Sequence, residues 1–425
     1  MASTAHARAA TLVWPLLLAL AGGSSAAPCP ETAYFESRDA GAELDLGWTG
    51  TAHGIEFTGW SFGLKLGACE GTTRGACGRC QATAVSRAAD EQHQRCLDRP
   101  WQTCTQDSEC AAVGAAGPCV LFTGPPAALA TGGSGLCAVG TVSGAVTGSV
   151  DVEAGSLTAA LPLTVRLYTG SPAVPCPRCI LDGAARDGAR GGRCDQGLRA
   201  GEPCDAQAAK RGRTVGATSL DCPPDPDALI GTLTTAQRSL TLTTGSRAEA
   251  LDAASPVCRA PVFGDKGCLC DVCADDPAQP CQRDADCATG VCGAAAGAAS
   301  APNGCADGVC TPVGPTDGIC NAGPFEGRCG PREGFRHCTD DVDCPVEGDT
   351  CTRAPRSCFP GNGVHGSVVS AKGTIDERVG DTKEPILTAL FCVPPTTNGA
   401  VNEIAGLPGP GRLRLPGRLS FGAAQ

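Results

Sequence analysis

Val142–Gly170, within a block that spans Ala138–Gly170, reads VSGAVTGSVDVEAGSLTAALPLTVRLYTG. Short runs of Val, Leu and Thr are broken by Gly and Ser, and no apolar stripe recurs every 3.6 residues over a helical length. The stretch predicts two or three short strands. Three further blocks share this texture. Pro30–Gly67 contains AELDLGW, GIEFTGW and FGLKLG, in which Leu44-Asp45-Leu46 and Leu64-Lys65-Leu66 alternate with the period of two of a half-buried strand. Thr214–Gly245 ends in LIGTLTTAQRSLTLTTG, and Val364–Pro394 contains GSVVSAKGTI and ILTALFCV. The four blocks predict a mainly β protein, with antiparallel strand blocks in β-sandwich-like packing and little helix.

Cysteine-dense, turn-rich segments separate the blocks. The chain has 425 residues, with Gly 58, Pro 33 and only 4% aromatic residues, so few large side chains are available for burial. Thirty cysteines, all at or after Cys29, can supply the missing constraint. Their even number, downstream of a candidate secretion signal, points to disulfides. A bridge closing ~15 residues contributes roughly 3 kcal/mol in the loop-closure model.

Residues 1–26 read as a signal peptide. Arg8 gives a positive start, Ala10–Ala21 an apolar core, and Ser24-Ser25-Ala26 a small-x-small cleavage site. Cys29 invites acylation, but Ala26-Ala27-Pro28 does not fit the Leu-x-small box of lipoproteins. The mature chain divides into 27–137 (first β block and cysteine segment), 138–257 (second and third β blocks around a cysteine segment), 258–360 (cysteine-rich) and 361–425 (last β block and tail). From Leu407-Pro408-Gly409-Pro410-Gly411 onward the tail is rich in Pro and Gly and is expected to be extended and partly unpaired.

A loop of the form C-x2-D-x-[DE]-C occurs three times: Cys104–Cys110, Cys281–Cys287 and Cys338–Cys344, each trailed by one more cysteine, Cys119, Cys292 or Cys351. Three C-x2-C pairs, Cys77/Cys80, Cys176/Cys179 and Cys270/Cys273, recur at intervals of 99 and 94 residues, which suggests a degenerate repeat. All fifteen are disulfide candidates. Redox and zinc readings of the C-x2-C pairs stay open. No helical pattern follows Cys77-Gly-Arg-Cys80 or Cys176-Pro-Arg-Cys179, and an oxidising compartment competes for the thiols. The paired acids Asp107/Glu109, Asp284/Asp286 and Asp341/Asp343 are calcium candidates, although one loop offers few of the six to eight oxygens calcium takes. The alternative is that the first Asp accepts backbone N–H bonds and fixes the turn.

Gly59-Trp60-Ser61-Phe62-Gly63 matches the G-x-S-x-G nucleophile pattern, which needs a strand before Ser61 and a helix after it. Leu64-Lys65-Leu66 reads as strand instead, and a base would have to come from an isolated histidine such as His93. Residues 186–213 carry scattered Arg and Lys interleaved with Asp187, Asp195, Glu202 and Asp205, a weak candidate surface for anionic polysaccharide or membrane. The net charge of −11 does not favour a nucleic-acid partner.

The three cysteine loops resemble elements of whey-acidic-protein four-disulfide cores and of dickkopf-type cysteine-rich domains. The whey acidic type has a double cysteine after the loop, where Cys119, Cys292 and Cys351 stand alone here. Over a longer span, LGWTG at Leu46–Gly50, TSLDCPP in the Cys176–Cys222 region, and FCVPPTTNGAVNEIAGLPGPGR resemble a group of cysteine-rich secreted proteins of environmental bacteria. That resemblance implies export and a shared architecture, and it carries no activity. The expectation is an exported, non-enzymatic structural, adhesive or binding protein of the envelope or extracellular space. Its partner would be an envelope polysaccharide or another surface protein, with no catalytic or cofactor-binding residue assigned. The alternative is an extracellular hydrolase or a protease inhibitor.

Overall fold

A computed structural model describes residues 27–38, 42–47, 59–86, 93–131, 134–142, 144–208, 217–234, 240–250, 368–373, 375–379, 382–393, 396–405 and 409–422, with isolated positions beside them and short pieces between 284 and 358. Residues 1–26, with the signal-peptide reading, lie outside them. The first block folds as β1 (Thr32–Ser37), β2 (Glu43–Leu46) and β3 (Ser61–Cys69). The first cysteine segment adds β4 (Arg79–Val85), β5 (Gln94–Cys96), β6 (Arg99–Thr103), the short helix α1 (Asp107–Ala112) and β7 (Cys119–Phe122). Next come β8 (Ala127–Thr131), β9 (Ser134–Val142), β10 (Thr147–Asp151), β11 (Ser156–Leu161) and β12 (Leu163–Gly170).

The second cysteine segment holds β13 (Arg178–Ile180), β14 (Gly192–Cys194), β15 (Pro203–Cys204) and β16 (Ala217–Thr218). The third block gives β17 (Leu229–Thr234) and β18 (Leu240–Thr243), followed by β19 (Ser246–Ala250). Short strands β20 (Cys310–Pro312), β21 (Gly318–Cys320), β22 (Glu326–Gly330), β23 (His337–Cys338), β24 (Thr350–Ala354) and β25 (Ser357–Cys358) punctuate the long cysteine-rich segment. The last block supplies β26 (Val368–Lys372), β27 (Ile375–Val379) and β28 (Thr382–Val393), then α2 (Gly399–Ala405) and β29 (Gly409–Gly422).

The molecule is mainly β, rich in disulfides and poor in helix, as the four blocks predict. Strands from all four blocks, together with β4 of the first cysteine segment and β29 of the tail, form one antiparallel ring. Its order is β29-β1-β3-β4-β10-β11-β18-β28, and β28 pairs with β29 to close it. Strand β2 continues β1 along the same edge of β29, and β27 joins β28 beside β18. Closure removes the exposed edges that an open sheet would present. Alternate residues on the ring strands, including Phe35, Phe62, Leu64, Leu157, Leu161 and Leu415, join a contiguous buried core. Phe35 lies opposite Phe62 in the β1–β3 register, with ring centroids 5.4 Å apart.

The tail departs from expectation. Residues 409–422 form the most heavily paired strand, because Leu413, Leu415 and Leu419 alternate with Arg412, Arg414 and Arg418. Its glycines serve close packing. A Cβ on Gly417 would meet Phe35 Cζ at 2.1 Å, and one on Gly411 would meet Phe391 Cε2 at 2.2 Å. Pro416, which has no N–H to donate, falls in the gap between the β1 and β2 ladders.

A second antiparallel sheet, β17-β12-β9-β7-β5-β6 with β8 beside β9, covers one wall of the ring, which supplies the layered packing expected of the blocks. The strands of the second cysteine segment form a small sheet of their own, β15-β14-β13-β16. Each described C-x2-C pair sends its two cysteines to different partners: Cys29–Cys77 and Cys69–Cys80, then Cys137–Cys176 and Cys179–Cys204. The first loop is bridged as Cys96–Cys110 and Cys104–Cys119, and Cys194 joins Cys222. Cys287, Cys344 and Cys351 are also disulfide-bonded. Cys270, Cys273, Cys281, Cys292 and the side chain of Cys338 lie outside the described residues. The bridge at Cys29 leaves its thiol unavailable for acylation. Among the described residues no helix is long and apolar enough to cross a membrane.

Candidate functional site

The small four-stranded sheet and its loops form a module on the outer side of the second sheet. One aspartate pins it there. The Asp221 side chain is 2% exposed and accepts bonds from Arg95 Nη1 (2.8 Å), Arg190 Nε (3.1 Å) and the Asp205 backbone N–H (3.0 Å). Its backbone carbonyl accepts Arg199 Nη1 at 2.8 Å, and the Arg199 guanidinium lies 5.1 Å from the centre of the Trp101 ring. Arg190 also donates to the Trp101 carbonyl. Arg95 comes from β5 and Trp101 from β6, so one carboxylate gathers charge from both layers. Burial lowers the Arg95 pKa and Asp221 opposes that shift. At Asp205 burial raises the pKa, against N–H bonds from Gly188 (2.9 Å) and Arg186 (3.0 Å).

Between the module and the second sheet this network leaves a polar cleft of about 780 Å³. Thr103, Thr105 and Glu109 line it from the first cysteine segment, and Arg190, Asp205 and Gln207 from the module. Cys96–Cys110 and Cys104–Cys119 lock one wall, and Cys179–Cys204 with Cys194–Cys222 lock the other. The side chains therefore meet a ligand already in place, which lowers the ordering cost of binding.

The scattered basic cluster of 186–213 is resolved into separate tasks. Arg186 donates from Nε to the Gln207 carbonyl (2.7 Å) and reaches Glu36 of β1 (3.1 Å), its guanidinium lying against Gly59. Arg178, just before the cluster, binds Asp195 at 2.7 Å. These pairings leave no continuous basic face among the described residues of the segment. Lys210, Arg211 and Arg213 lie outside them.

The first acidic loop shows where its carboxylates go. Asp107 Oδ1 accepts the Cys119 N–H at 2.9 Å, and in the third loop Asp341 Oδ1 accepts the Cys351 N–H at 2.6 Å. In both, the first acid holds the trailing cysteine. Glu109 accepts the Thr105 N–H (2.7 Å) and hydroxyl (2.9 Å), which hold its carboxyl below the ordinary value of 4.5. Those bonds favour the folded state above that value, and the contribution is lost as the pH falls below it. Asp284 lies in a 3-10 turn, and the side chains of Asp286 and Asp343 lie outside the described residues. Among the described residues, the groups of three ligand-type side chains close enough to share an ion are Cys96/Cys104/Cys110 and Cys179/Cys204/Cys222, all committed to disulfides.

Asp107→Ala should destabilise the protein by about 1–3 kcal/mol, since it leaves a partly buried N–H unpaired. Urea denaturation would measure this. Millimolar CaCl2 should leave the melting temperature of the wild type unchanged, because calcium would have to displace the bonds that Asp107 and Glu109 already make. A rise that EDTA reverses would restore the calcium assignment.

Ser61 and His93 do meet: Ser61 Oγ lies 3.1 Å from His93 Nδ1. Ser61 opens β3, and strand follows it, as Leu64-Lys65-Leu66 predicts. Both side chains are buried, Ser61 at 2% and His93 at 7% exposure. His53 and His365 lie outside the described residues.

Sequence reasoning missed Arg95 and Asp221. Each sits beside a cysteine, at Arg95-Cys96 and Asp221-Cys222. A charge next to a buried bridge is the local signal of a residue held inside. No family model matches the chain, and neither a curated protein nor a solved structure matches it.

Proposed function

We propose that this is an exported, non-enzymatic binding protein of the cell envelope or extracellular space, and that the polar cleft takes a segment of envelope polysaccharide. The observation that supports this reading is the cleft itself, with hydroxyl, amide and charged groups fixed by four disulfides and by the Asp221 network. Polar groups preset at fixed positions suit the recognition of a polyhydroxylated chain. The disulfides described above fit an oxidising compartment. Thr103 lines the cleft with an exposed side chain, so Thr103→Trp should fill it without touching the buried network. Saturable binding to a panel of purified bacterial polysaccharides is expected, weakened at least about tenfold in Thr103→Trp, a change of roughly 1.4 kcal/mol. If the folded wild type bound none of the panel, the reading would be wrong.

A hydrolase reading has one observation behind it, the Ser61–His93 bond. Against it stands the burial of both side chains, which keeps a substrate carbonyl from the Ser61 hydroxyl. A fluorophosphonate probe should leave Ser61 unlabelled. Labelling that disappears in Ser61→Ala would establish the hydrolase instead. The inhibitor reading looks to Leu181, 72% exposed beside the Cys179 bridge. Its φ of 65° takes it out of the extended conformation in which peptides add to a sheet edge.

A further inference from the structure

Strand β12 presents different chemistry on its two faces. Leu163, Val165 and Leu167 line an apolar cavity beside Leu44, Phe391 and Leu413, whereas Arg166 and Tyr168 point the other way, to the face that the module overlies. A second recess opens there, separate from the polar cleft, with a volume of about 310 Å³. That is at the lower end of the ~300–1,000 Å³ typical of small-molecule sites. Its floor is Phe122, Val139 and Leu220, and its far wall is the proline run Pro223, Pro224 and Pro226. Leu198 and Leu229 stand at the rim, 50% and 42% exposed, so the apolar surface continues outward to solvent.

Two polar groups in this recess have no partner in the protein among the described residues. Arg166 makes no hydrogen bond or ion pair there, and the Tyr168 hydroxyl makes no hydrogen bond. Burial pushes the Tyr168 pKa up, with Arg166 pulling it down, which keeps the phenol a hydrogen-bond donor at neutral pH. Asp98 is the acidic residue in the lining, and its Oδ2 accepts the Ala116 N–H at 2.7 Å. A guanidinium two residues along the strand from a phenol donor, on an otherwise apolar floor, is a fork for a carboxylate.

We infer that this recess binds small apolar carboxylates, with the hydrocarbon or aromatic body on the proline and leucine walls and the carboxylate at Arg166 and Tyr168. The site does not depend on the polysaccharide reading of the cleft. Proline walls lose no side-chain freedom on binding, so the apolar body meets a surface that needs little ordering.

The experiment compares 2-naphthoate with its neutral analogue 2-naphthalenemethanol by titration calorimetry on the full chain. The wild type should bind naphthoate saturably and the alcohol about tenfold more weakly, the discrimination a charge-assisted hydrogen bond supplies. Arg166→Gln should abolish that preference while retaining the weak binding of the alcohol, and Arg166→Lys should keep part of it. Near-UV circular dichroism reports whether each variant keeps the native packing. Equal binding of the two compounds by the wild type, no saturable binding of naphthoate, or an undiminished preference in folded Arg166→Gln would each overturn the inference. The wild-type comparison decides on its own if a variant fails to fold.

Discussion

Asp221→Ala is expected to destabilise the protein by about 3–5 kcal/mol, the cost of removing one partner from a buried ion pair. The substitution strands the Arg95 guanidinium, whose side chain is 7% exposed, without its carboxylate. It also removes the acceptor for Arg190 and for the Asp205 N–H. Because these groups come from both the second sheet and the module, the loss should appear as detachment of the module before global unfolding. Limited proteolysis should then cut within residues 183–203 while the ring stays intact. The companion variant Asp221→Leu with Arg95→Met removes both charges and should recover much of the loss, since the cost lies in the unpaired charge. If Asp221→Ala unfolded at the wild-type urea concentration, the pin would be an incidental contact.

The second large effect concerns a bridge. The module's buried cluster consists of Cys179, Cys194, Cys204, Cys222 and two alanines, Ala206 and Ala217. Two alanines bury too little surface to hold four short strands together, so the sulfurs are the core. Replacing both Cys194 and Cys222 by serine opens a bridge with a sequence separation of 28. Loop-closure entropy for a span of that length comes to roughly 3–4 kcal/mol, within the 2–5 typical of small disulfide-bonded domains. The double variant should lose the module's native structure, seen as protease sensitivity and as collapse of the polar cleft. The Cys69–Cys80 bridge offers a contrast. Its two cysteines are direct register partners on β3 and β4, already aligned by the ladder, so opening it should leave the ring assembled.

The strand blocks were legible because alternation survives in them. Leu44 and Leu64 in the first block and Leu157, Ala159 and Leu161 in the second all reach the core. The mainly β reading follows directly. Ring closure was not legible, because it depends on β29, where prolines and glycines hide an alternation of leucine and arginine. Gly411 and Gly417 look like breakers in one dimension, yet in three they are seats for Phe391 and Phe35. The strands of the module were hidden for another reason. At two or three residues each they are too short to show a period, and their buried residues are largely cysteines.

Of the candidate sites, the chemistry of Asp107 was readable from local sequence, a carboxylate accepting a backbone N–H, but its partner was not, since the bond goes to the Cys119 N–H, 12 residues on and outside the Cys104–Cys110 turn. The cleft was not, since Arg95 and Asp221 meet across 126 residues. Arg166 and Tyr168 were legible as alternate residues of one strand, but which face would carry a recess depended on where the module docks.

The ring seam also sets an order of events in time. Strands β1 and β29 meet across 390 residues, from Thr32 to Gly422. Among the described residues, the seven bridges with both cysteines placed span sequence separations of only 11 to 48. Oxidised islands can therefore be complete while the ring is still open. The seam is expected to close last, since the longest loop closes there. Until then the edges of β1 and β28 are free to pair with other chains, and the time for which the ring stays open is the interval in which aggregation competes with folding.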